Sequence, residues 1–87
     1  MEFIVRRTSI WNNARPCYEA VPKTISYKYM GEAREENVWV VEFSNLKELM
    51  KFRNKYGSVI IGRREYGVRD NELVVYDSIE IYDGYRE

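Results

Sequence analysis

One stretch of the sequence decides the fold. Residues 38–62 read VWVVEFSNLKELMKFRNKYGSVIIG, and in them a strand-like alternation gives way to a helical period and then to a short apolar run. One face of the first strand carries Trp39, Val41 and Phe43. The other face carries Val38, Val40 and Glu42. We expect the aromatic-rich face to be the core face and the face with Glu42 to be the more solvent-exposed one.

The middle of this stretch predicts a helix over residues 46–56. Asn45 is placed as the N-cap, because its side-chain oxygen can accept a hydrogen bond from a free amide of the first turn. Glu48 can reach back to the amide of Asn45 and complete a capping box. Gly57 fits the left-handed position that ends such helices. The apolar stripe of the helix consists of Leu46, Leu49, Met50 and Tyr56, with Phe52 at its edge.

The rest of the chain supplies further strands and turns. Strands are predicted at residues 3–8, 23–30, 58–61, 73–76 and 79–82. Turns are predicted at residues 31–37, 62–67, 70–71 and 77–78, and a single bent strand with a bulge is an alternative to the last turn. We therefore expect one α+β domain, residues 1–87, in which a mixed or mainly antiparallel sheet of five or six strands is crossed by one helix, residues 46–56.

Residues 9–22 form the longest stretch without a clear period. The pair Asn12-Asn13 and two prolines favour an ordered loop or a turn of helix. Trp11 and Tyr18 are too apolar for a free linker, so we expect both to fold back onto the sheet. Two roles stay open for this loop, namely contact with a partner and closure of the core.

The residue types that carry most catalytic chemistry are scarce. The chain has no histidine and one cysteine, Cys17, which leaves no histidine base, no Cys-His pair and no histidine ligand for a metal. No strand is followed by the spaced glycines and helix of a phosphate-binding loop. The carboxylates Asp70, Asp77, Glu80 and Asp83 do not match an EF-hand spacing. We expect no enzymatic activity, no cofactor and no bound metal.

The composition favours a cytoplasmic protein. A lone cysteine cannot form an internal disulfide, which favours a reducing compartment. The opening residues MEFIVRR lack the basic-then-apolar order of a signal peptide. No apolar run approaches the ~20 residues that a membrane-spanning helix needs, so we expect no contact with a membrane.

The formal net charge is zero, but the charges are unevenly distributed. Residues 51–69 carry a net charge of +5, and residues 70–87 carry −5. The two segments either neutralise each other across neighbouring strands or form polar binding surfaces. For a protein-binding surface, the candidate residues are Asp77, Glu80, Tyr82, Asp83, Tyr85 and Glu87. For a nucleic-acid-binding surface, they are Lys51, Lys55, Arg63 and Arg64, although an isoelectric point near 6.3 argues against a dedicated nucleic-acid binder.

Three stretches together carry a resemblance to a known group of proteins. They are RTSIW at residues 7–11 with Pro16-Cys17 soon after, the strand and helix of residues 38–57, and the ending IEIYDGYRE at residues 79–87. They resemble short proteins encoded by phages and prophages of Gram-positive bacteria. The resemblance implies a phage-borne accessory protein in the cytoplasm of the host cell. Many such proteins, anti-CRISPR proteins among them, block host defence systems.

These observations lead to three hypotheses about function. The first is a non-catalytic protein-binding module, most concretely an anti-CRISPR-like inhibitor of a host nucleic-acid-targeting defence complex. Its partner would be a host protein or ribonucleoprotein complex, with the carboxylates supplying charge complementarity and Tyr82 and Tyr85 the desolvated anchors. The second is a small nucleic-acid-binding protein that uses the basic residues on and after the helix. The third is a structural or assembly protein that dimerises through an exposed strand edge.

Overall fold

The structure, a computed structural model, describes residues 1–84. Its elements are β1 (Glu2–Arg7), β2 (Val21–Tyr29), β3 (Glu32–Glu42), α1 (Leu46–Tyr56), β4 (Val59–Arg69) and β5 (Glu72–Ile81). The prediction of an α+β fold with one helix at residues 46–56 is confirmed, and of the five or six strands expected, residues 1–84 form five. Within the described part of the chain, no helix has the length and apolar character needed to cross a membrane.

The five strands close into a barrel in the order β1-β3-β2-β4-β5. The sheet is mixed, because β1 and β5 run parallel while the other neighbouring strands are antiparallel. The sequence did not predict this closure. A strand's period indicates which residues share a face, but it does not indicate which strands become neighbours.

Two long hairpins make up most of the barrel, and each ends in a two-residue turn. Met30 and Gly31 connect β2 to β3 with φ angles of 53° and 84°, and Asp70 and Asn71 connect β4 to β5 with φ angles of 52° and 65°. Two positive φ angles are the pattern of the type I′ turn, whose twist matches that of the flanking strands. The turn predicted at residues 70–71 is therefore confirmed. The broad turn predicted at residues 31–37 is wrong, because the charged residues that follow Gly31 pair with β2 as a strand.

Strands β4 and β5 are each continuous, so the turns predicted at residues 62–67 and 77–78 are wrong. Their pairing runs along both strands with one register shift, between Glu65 and Gly67, which leaves Tyr66 as the extra residue. The alternative for residues 73–82 was a single bent strand with a bulge. Strand β5 is indeed a single strand, but the bulge of this pairing lies on β4 and not on β5. The polar residues that suggested turns project from the strands, and cross-strand partners neutralise several of them.

Both faces of the central strands are buried. The barrel interior contains Ile4, Ile25, Val38, Val40 and Tyr66, with Tyr27 and Tyr76 partly buried. The outer core under the helix contains Phe3, Val5, Cys17, Ala20, Val41, Phe43, Leu49, Phe52, Ile79 and Ile81. The face with Trp39 is a core face as predicted, and Glu42 is exposed. The expectation that Val38 and Val40 lie on the more solvent-exposed face is wrong, because closure of the barrel buries both side chains.

The helix begins at the predicted cap. The amide of Glu48 donates to Asn45 Oδ1 over 3.0 Å. The carboxylate of Glu48 reaches back one residue further than expected and accepts from the amide of Ser44 at 2.8 Å. Gly57 ends the helix with a φ of 79°, and its amide donates to the carbonyl of Arg53. Glycine adopts this positive φ without the steric cost that other residues carry.

The buried face of α1 is narrower than the predicted stripe. Leu49 and Phe52 are buried, and Tyr56 is partly buried against the outer core. The prediction that Leu46 and Met50 belong to the core face is wrong, because both are exposed. Leu49, Phe52 and Tyr56 share one face of the helix, whereas Leu46 and Met50 both lie to one side of that face, so the core contact excludes them.

The barrel closes where the two hairpins meet near their turns. A single residue pair, Lys28 with Val68, joins β2 to β4. Gly67, next to this pair, has a φ of 139°, and a Cβ atom there would collide with the carbonyl oxygen of Lys28 and lie 3.1 Å from the ring of Tyr27. Closure therefore depends on a glycine at residue 67.

Candidate protein-binding site

The loop between β1 and β2, residues 8–20, is the most distinctive surface of the molecule, and we call it the aromatic loop. It exposes Trp11 to 80% and Tyr18 to 83% of their full surface. The expectation that these two side chains fold back onto the sheet is wrong. Pro16, Cys17 and Ala20 are the loop residues that are buried, so smaller side chains complete the core and the two large aromatic rings remain in solvent.

A tight turn presents Trp11. Asn12 and Asn13 have φ angles of 57° and 58°, and the amide of Ala14 donates to the carbonyl of Trp11 over 3.1 Å. Asparagine tolerates this left-handed conformation better than most residues. The turn is fixed from below because the indole nitrogen of Trp39 donates to the carbonyl of Asn13 at 2.5 Å.

Arg7 holds the base of the aromatic loop. Its guanidinium donates two hydrogen bonds to Asp83, at 2.8 and 3.0 Å, and a third to the carbonyl of Pro16 at 3.1 Å. Ser9 also donates to Asp83. Hydrogen bonds from Arg7 and Ser9 lower the pKa of Asp83 from its ordinary 3.8 to about 2, and the bond to Asp83 raises the pKa of Arg7. A bidentate arginine–carboxylate pair is directional, so it fixes the base of the loop relative to the residues that follow β5.

Glu19 holds the other end of the loop against the helix. Its carboxylate accepts from Lys55 at 2.8 Å and from the hydroxyl of Tyr56 at 2.6 Å. Partial burial acts to raise the pKa of Glu19, but these two hydrogen bonds outweigh it and the pKa is lowered. Burial, followed by the bond to Glu19, raises the pKa of Tyr56. Burial also raises the pKa of Cys17, which therefore packs in the core as a protonated thiol.

A cleft lies beneath the aromatic loop. Strand β1 pairs with β3 only from Glu2 to Ile4, so beyond Ile4 the two strands separate and the loop covers the gap. The cleft has a volume of about 270 Å³. Its lining includes Val5, Arg6, Trp11, Glu36, Val38 and Trp39. Binding pockets for small molecules typically measure about 300–1,000 Å³, so the size of the cleft suits one or two side chains of a partner.

Arg6 is the main charged group of the cleft wall. One of its terminal nitrogens donates to the hydroxyl of Tyr66 at 2.8 Å and lies 3.5 Å from the carboxylate of Glu36. The hydroxyl of Tyr27 also donates to Glu36, at 3.2 Å. Outside the cleft, the guanidinium of Arg15 stacks over the ring of Trp39 at 5.3 Å. The site thus combines apolar rings with charged groups that are held in place.

The predicted acidic surface is largely engaged inside the molecule. Asp77 pairs with Arg63 at 3.0 Å, and Glu80 pairs with Arg64 and accepts from the hydroxyl of Tyr82. Asp83 is the partner of Arg7 described above. Asp77 and Glu80 thus follow the interpretation in which the acidic segment neutralises the basic one across neighbouring strands, and the role of these residues in binding a protein stays a prediction. Tyr85 and Glu87 lie outside the described residues.

The predicted basic residues do not form one patch. Arg63 and Arg64 are adjacent on β4 and so project to opposite faces of the sheet, where each meets a carboxylate. Lys55 pairs with Glu19. Lys51 is exposed on the helix and forms no ion pair among residues 1–84. The role of these residues in binding nucleic acid stays a prediction.

Neither the anchoring role of Arg7 nor the cleft beside Arg6 was predicted from the sequence. A signal for Arg7 was present, because it shares a strand face with Phe3 and Val5. A charged residue at the end of an apolar face indicates a partner within the fold. The cleft had no such signal, since it arises from the separation of two strands that are distant in sequence.

Comparison with known proteins does not assign a family. No protein-family model, no curated protein and no solved structure matches the chain. Across residues 1–84, no group of three or more cysteine, aspartate and glutamate side chains is arranged to hold a metal ion.

Proposed function

We propose that this protein is a non-catalytic protein-binding module whose contact surface is the aromatic loop, residues 8–20, together with the cleft beneath it. The observation that supports the proposal most strongly is the exposure of Trp11 and Tyr18 on a loop that is fixed at both ends. Tryptophan, tyrosine and arginine dominate the binding energy of protein interfaces. All three residue types occur here within eight residues, since Arg15 lies between the two aromatic rings.

The anchoring of the loop supports the same proposal. Ordering a flexible loop at an interface costs about 0.5–1.5 kcal/mol for each immobilised side chain. The bonds of Arg7 and Glu19, together with the bond from Trp39 to Asn13, hold the loop in one conformation before a partner arrives. A preorganised loop avoids much of this cost. The cleft then gives a partner side chain a concave place to insert next to Trp11.

The resemblance to phage-borne proteins supports a finer proposal, which is that the partner belongs to a host nucleic-acid-targeting defence complex. Under this proposal the chain inhibits the complex by covering a functional surface, as an anti-CRISPR protein does. An interference assay in a bacterial host tests this directly. Expression of the chain should relieve interference, and the double variant Trp11→Ala/Tyr18→Ala should not. Full interference in the presence of the wild-type chain would refute the finer proposal alone.

The binding surface is tested by capture of a partner from a bacterial lysate, followed by titration of the purified partner. Truncating a central aromatic anchor costs about 2 kcal/mol or more, so Trp11→Ala and Tyr18→Ala should each weaken the affinity about 30-fold or more. Met30→Ala is the matched control, because Met30 is 87% exposed at the turn between β2 and β3. Unchanged affinity in the double variant would refute a contact through the aromatic loop.

The acidic residues need a different test from a simple charge reversal. Reversal of Asp83 would release Arg7 and disturb the aromatic loop, so a loss of binding would not identify Asp83 as a contact. Glu80→Gln is the cleaner change, because glutamine retains the shape and can still accept from Tyr82. If Glu80 touches the partner, Glu80→Gln should weaken binding and make it less sensitive to salt. An unchanged affinity would remove Glu80 from the interface.

A further inference from the structure

The second hairpin carries a strand edge that has no neighbour. Strand β5 pairs with β4 along its whole length. On its other side, it pairs with β1 only from Ser78 to Ile81. Among residues 1–84, no strand is paired with the segment Glu72–Asp77 on that side, and we call this segment the β5 edge. Its outward-facing backbone amides and carbonyls are available for pairing with another strand.

The β5 edge lacks the features that usually protect such segments. Protein edges are commonly protected by charges, prolines or bulges, whereas this segment reads ELVVYD. Its charges lie only at its two ends, and the bulge of this hairpin lies on β4. Leu73 is 60% exposed and Val75 is 41% exposed. Because they are two residues apart in a strand, both project from the same outer face, next to the exposed Val68 that pairs with Leu73.

We propose that the β5 edge pairs with the same edge of a second copy of this chain and forms a two-fold symmetric dimer with Val74 on the axis. A two-fold axis perpendicular to the sheet makes the two edges antiparallel and keeps outer faces together. Residues that face each other must therefore project to the same side. This condition leaves three registers near the centre of the segment, with the axis at Leu73, at Val74 or at Val75.

Side-chain chemistry selects the register centred on Val74. In that register, Leu73 lies opposite Val75 of the second copy, and the same apolar pair occurs again across the axis. With the axis at Val75, Leu73 would lie opposite the carboxylate of Asp77. With the axis at Leu73, Val75 would lie opposite Asn71, which belongs to the turn. Apolar cross-strand pairs stabilise antiparallel sheets, so only the Val74 register matches the exposed apolar residues of both copies.

The small number of residues in the contact limits the affinity between the two copies. About six residues of each copy take part, whereas a stable interface usually involves about 20–30 residues on each side. We therefore expect a weak dimer, with a dissociation constant between about 10 μM and 1 mM. Each copy has one β5 edge, and the two-fold contact occupies both edges, so no third copy can add to the dimer. This inference is independent of the aromatic loop and does not require the function proposed above.

The test is the molar mass of the purified chain in solution, measured by sedimentation equilibrium from about 10 μM to 1 mM. The wild-type chain should pass from monomer to dimer over this range. Leu73→Lys places a charge opposite Val75 of the second copy and should leave the chain monomeric throughout. Ile60→Lys is the matched control, because Ile60 is an aliphatic residue of β4 that is 58% exposed outside the β5 edge, and this variant should dimerise like the wild type.

Amide hydrogen exchange at the two ends of the concentration range locates the contact. We expect slower exchange at high concentration within residues 72–77 and no change in the aromatic loop. A wild-type chain that stays monomeric at about 1 mM would overturn the proposal, as would a dimer that Leu73→Lys does not affect. Sensitivity to Ile60→Lys alone would place the contact elsewhere and would also overturn it. Species larger than a dimer would contradict the closed, symmetric arrangement.

Discussion

Replacement of Gly67 by alanine should open the barrel. The new Cβ would collide with the carbonyl oxygen of Lys28 and lie 3.1 Å from the ring of Tyr27. The contact with backbone cannot be relieved by rotating a side chain, so β2 and β4 must separate. Since these strands pair through one residue pair, Lys28 with Val68, a displacement of about 1 Å is enough to break the pairing.

The cost has three parts. An alanine held at a φ of 139° carries a strain of about 1–3 kcal/mol. Loss of the pairing between β2 and β4 removes about 1 kcal/mol for a backbone hydrogen bond. Displacement of Tyr27 from the ring of Tyr66, which it meets edge-on at 5.5 Å, removes about 0.5–1.5 kcal/mol. We expect Gly67→Ala to lower the free energy of unfolding by about 2.5–5.5 kcal/mol, a large part of the 5–15 kcal/mol that is typical of a domain.

Chemical denaturation with urea measures this change, and a second glycine of the same strand provides the control. Gly62 also lies within β4, but a Cβ atom there would meet no atom within 4 Å and its φ is not positive. Gly62→Ala should therefore be neutral or should stabilise by up to about 1 kcal/mol. If the free energy of unfolding of Gly67→Ala lies within about 1 kcal/mol of the wild-type value, closure of the barrel does not depend on Gly67.

Three further predictions concern the anchors of the aromatic loop. Arg7→Met removes three hydrogen bonds and should make cleavage of residues 9–15 by a protease several times faster at a temperature where the fold persists; an unchanged rate would show that Arg7 does not hold the loop. Because the pKa of Asp83 is lowered to about 2, its stabilising contribution is complete above its ordinary pKa of 3.8 and is lost as the pH falls toward 2. Asp83→Asn should remove this part of the loss of stability in acid. If the free energy of unfolding of the variant depends on pH as that of the wild type does, the carboxylate of Asp83 does not stabilise the fold. Tyr56→Phe deletes the hydrogen bond to Glu19 and should raise the pKa of Glu19, as measured by NMR titration, whereas an unshifted titration would leave Lys55 as the sufficient partner.

Local signals predicted the local structure well. The helix spans residues 46–56, with Asn45 as its N-cap and Gly57 as its C-cap, as these two residue types indicated. The turn at residues 70–71 was also visible in the sequence. Both depend on interactions between residues that are close in the chain, and the physics of such interactions can be recognised from residue type and spacing.

The wrong predictions concern residues whose burial or secondary structure depends on segments that are distant in the sequence. Val38 and Val40 are buried because β4 and β5 complete the barrel around them, which no period within β3 can indicate. The charged residues 32–37 suggested a turn, but they form a strand because Met30 and Gly31 already supply a tight one. Trp11 was expected to pack on the sheet because it is apolar, yet the buried side chains of the loop are Pro16, Cys17 and Ala20. Composition alone could not distinguish an exposed residue from a core residue at this position.

Amide hydrogen exchange of the chain, measured with and without its captured partner, shows whether that partner binds the aromatic loop. We predict that binding slows exchange within residues 8–20 and at the neighbouring part of β3 that lines the cleft, while the turn at Met30 is unaffected. Protection confined to the β4–β5 hairpin, with the exchange of residues 8–20 unchanged, would contradict the claim.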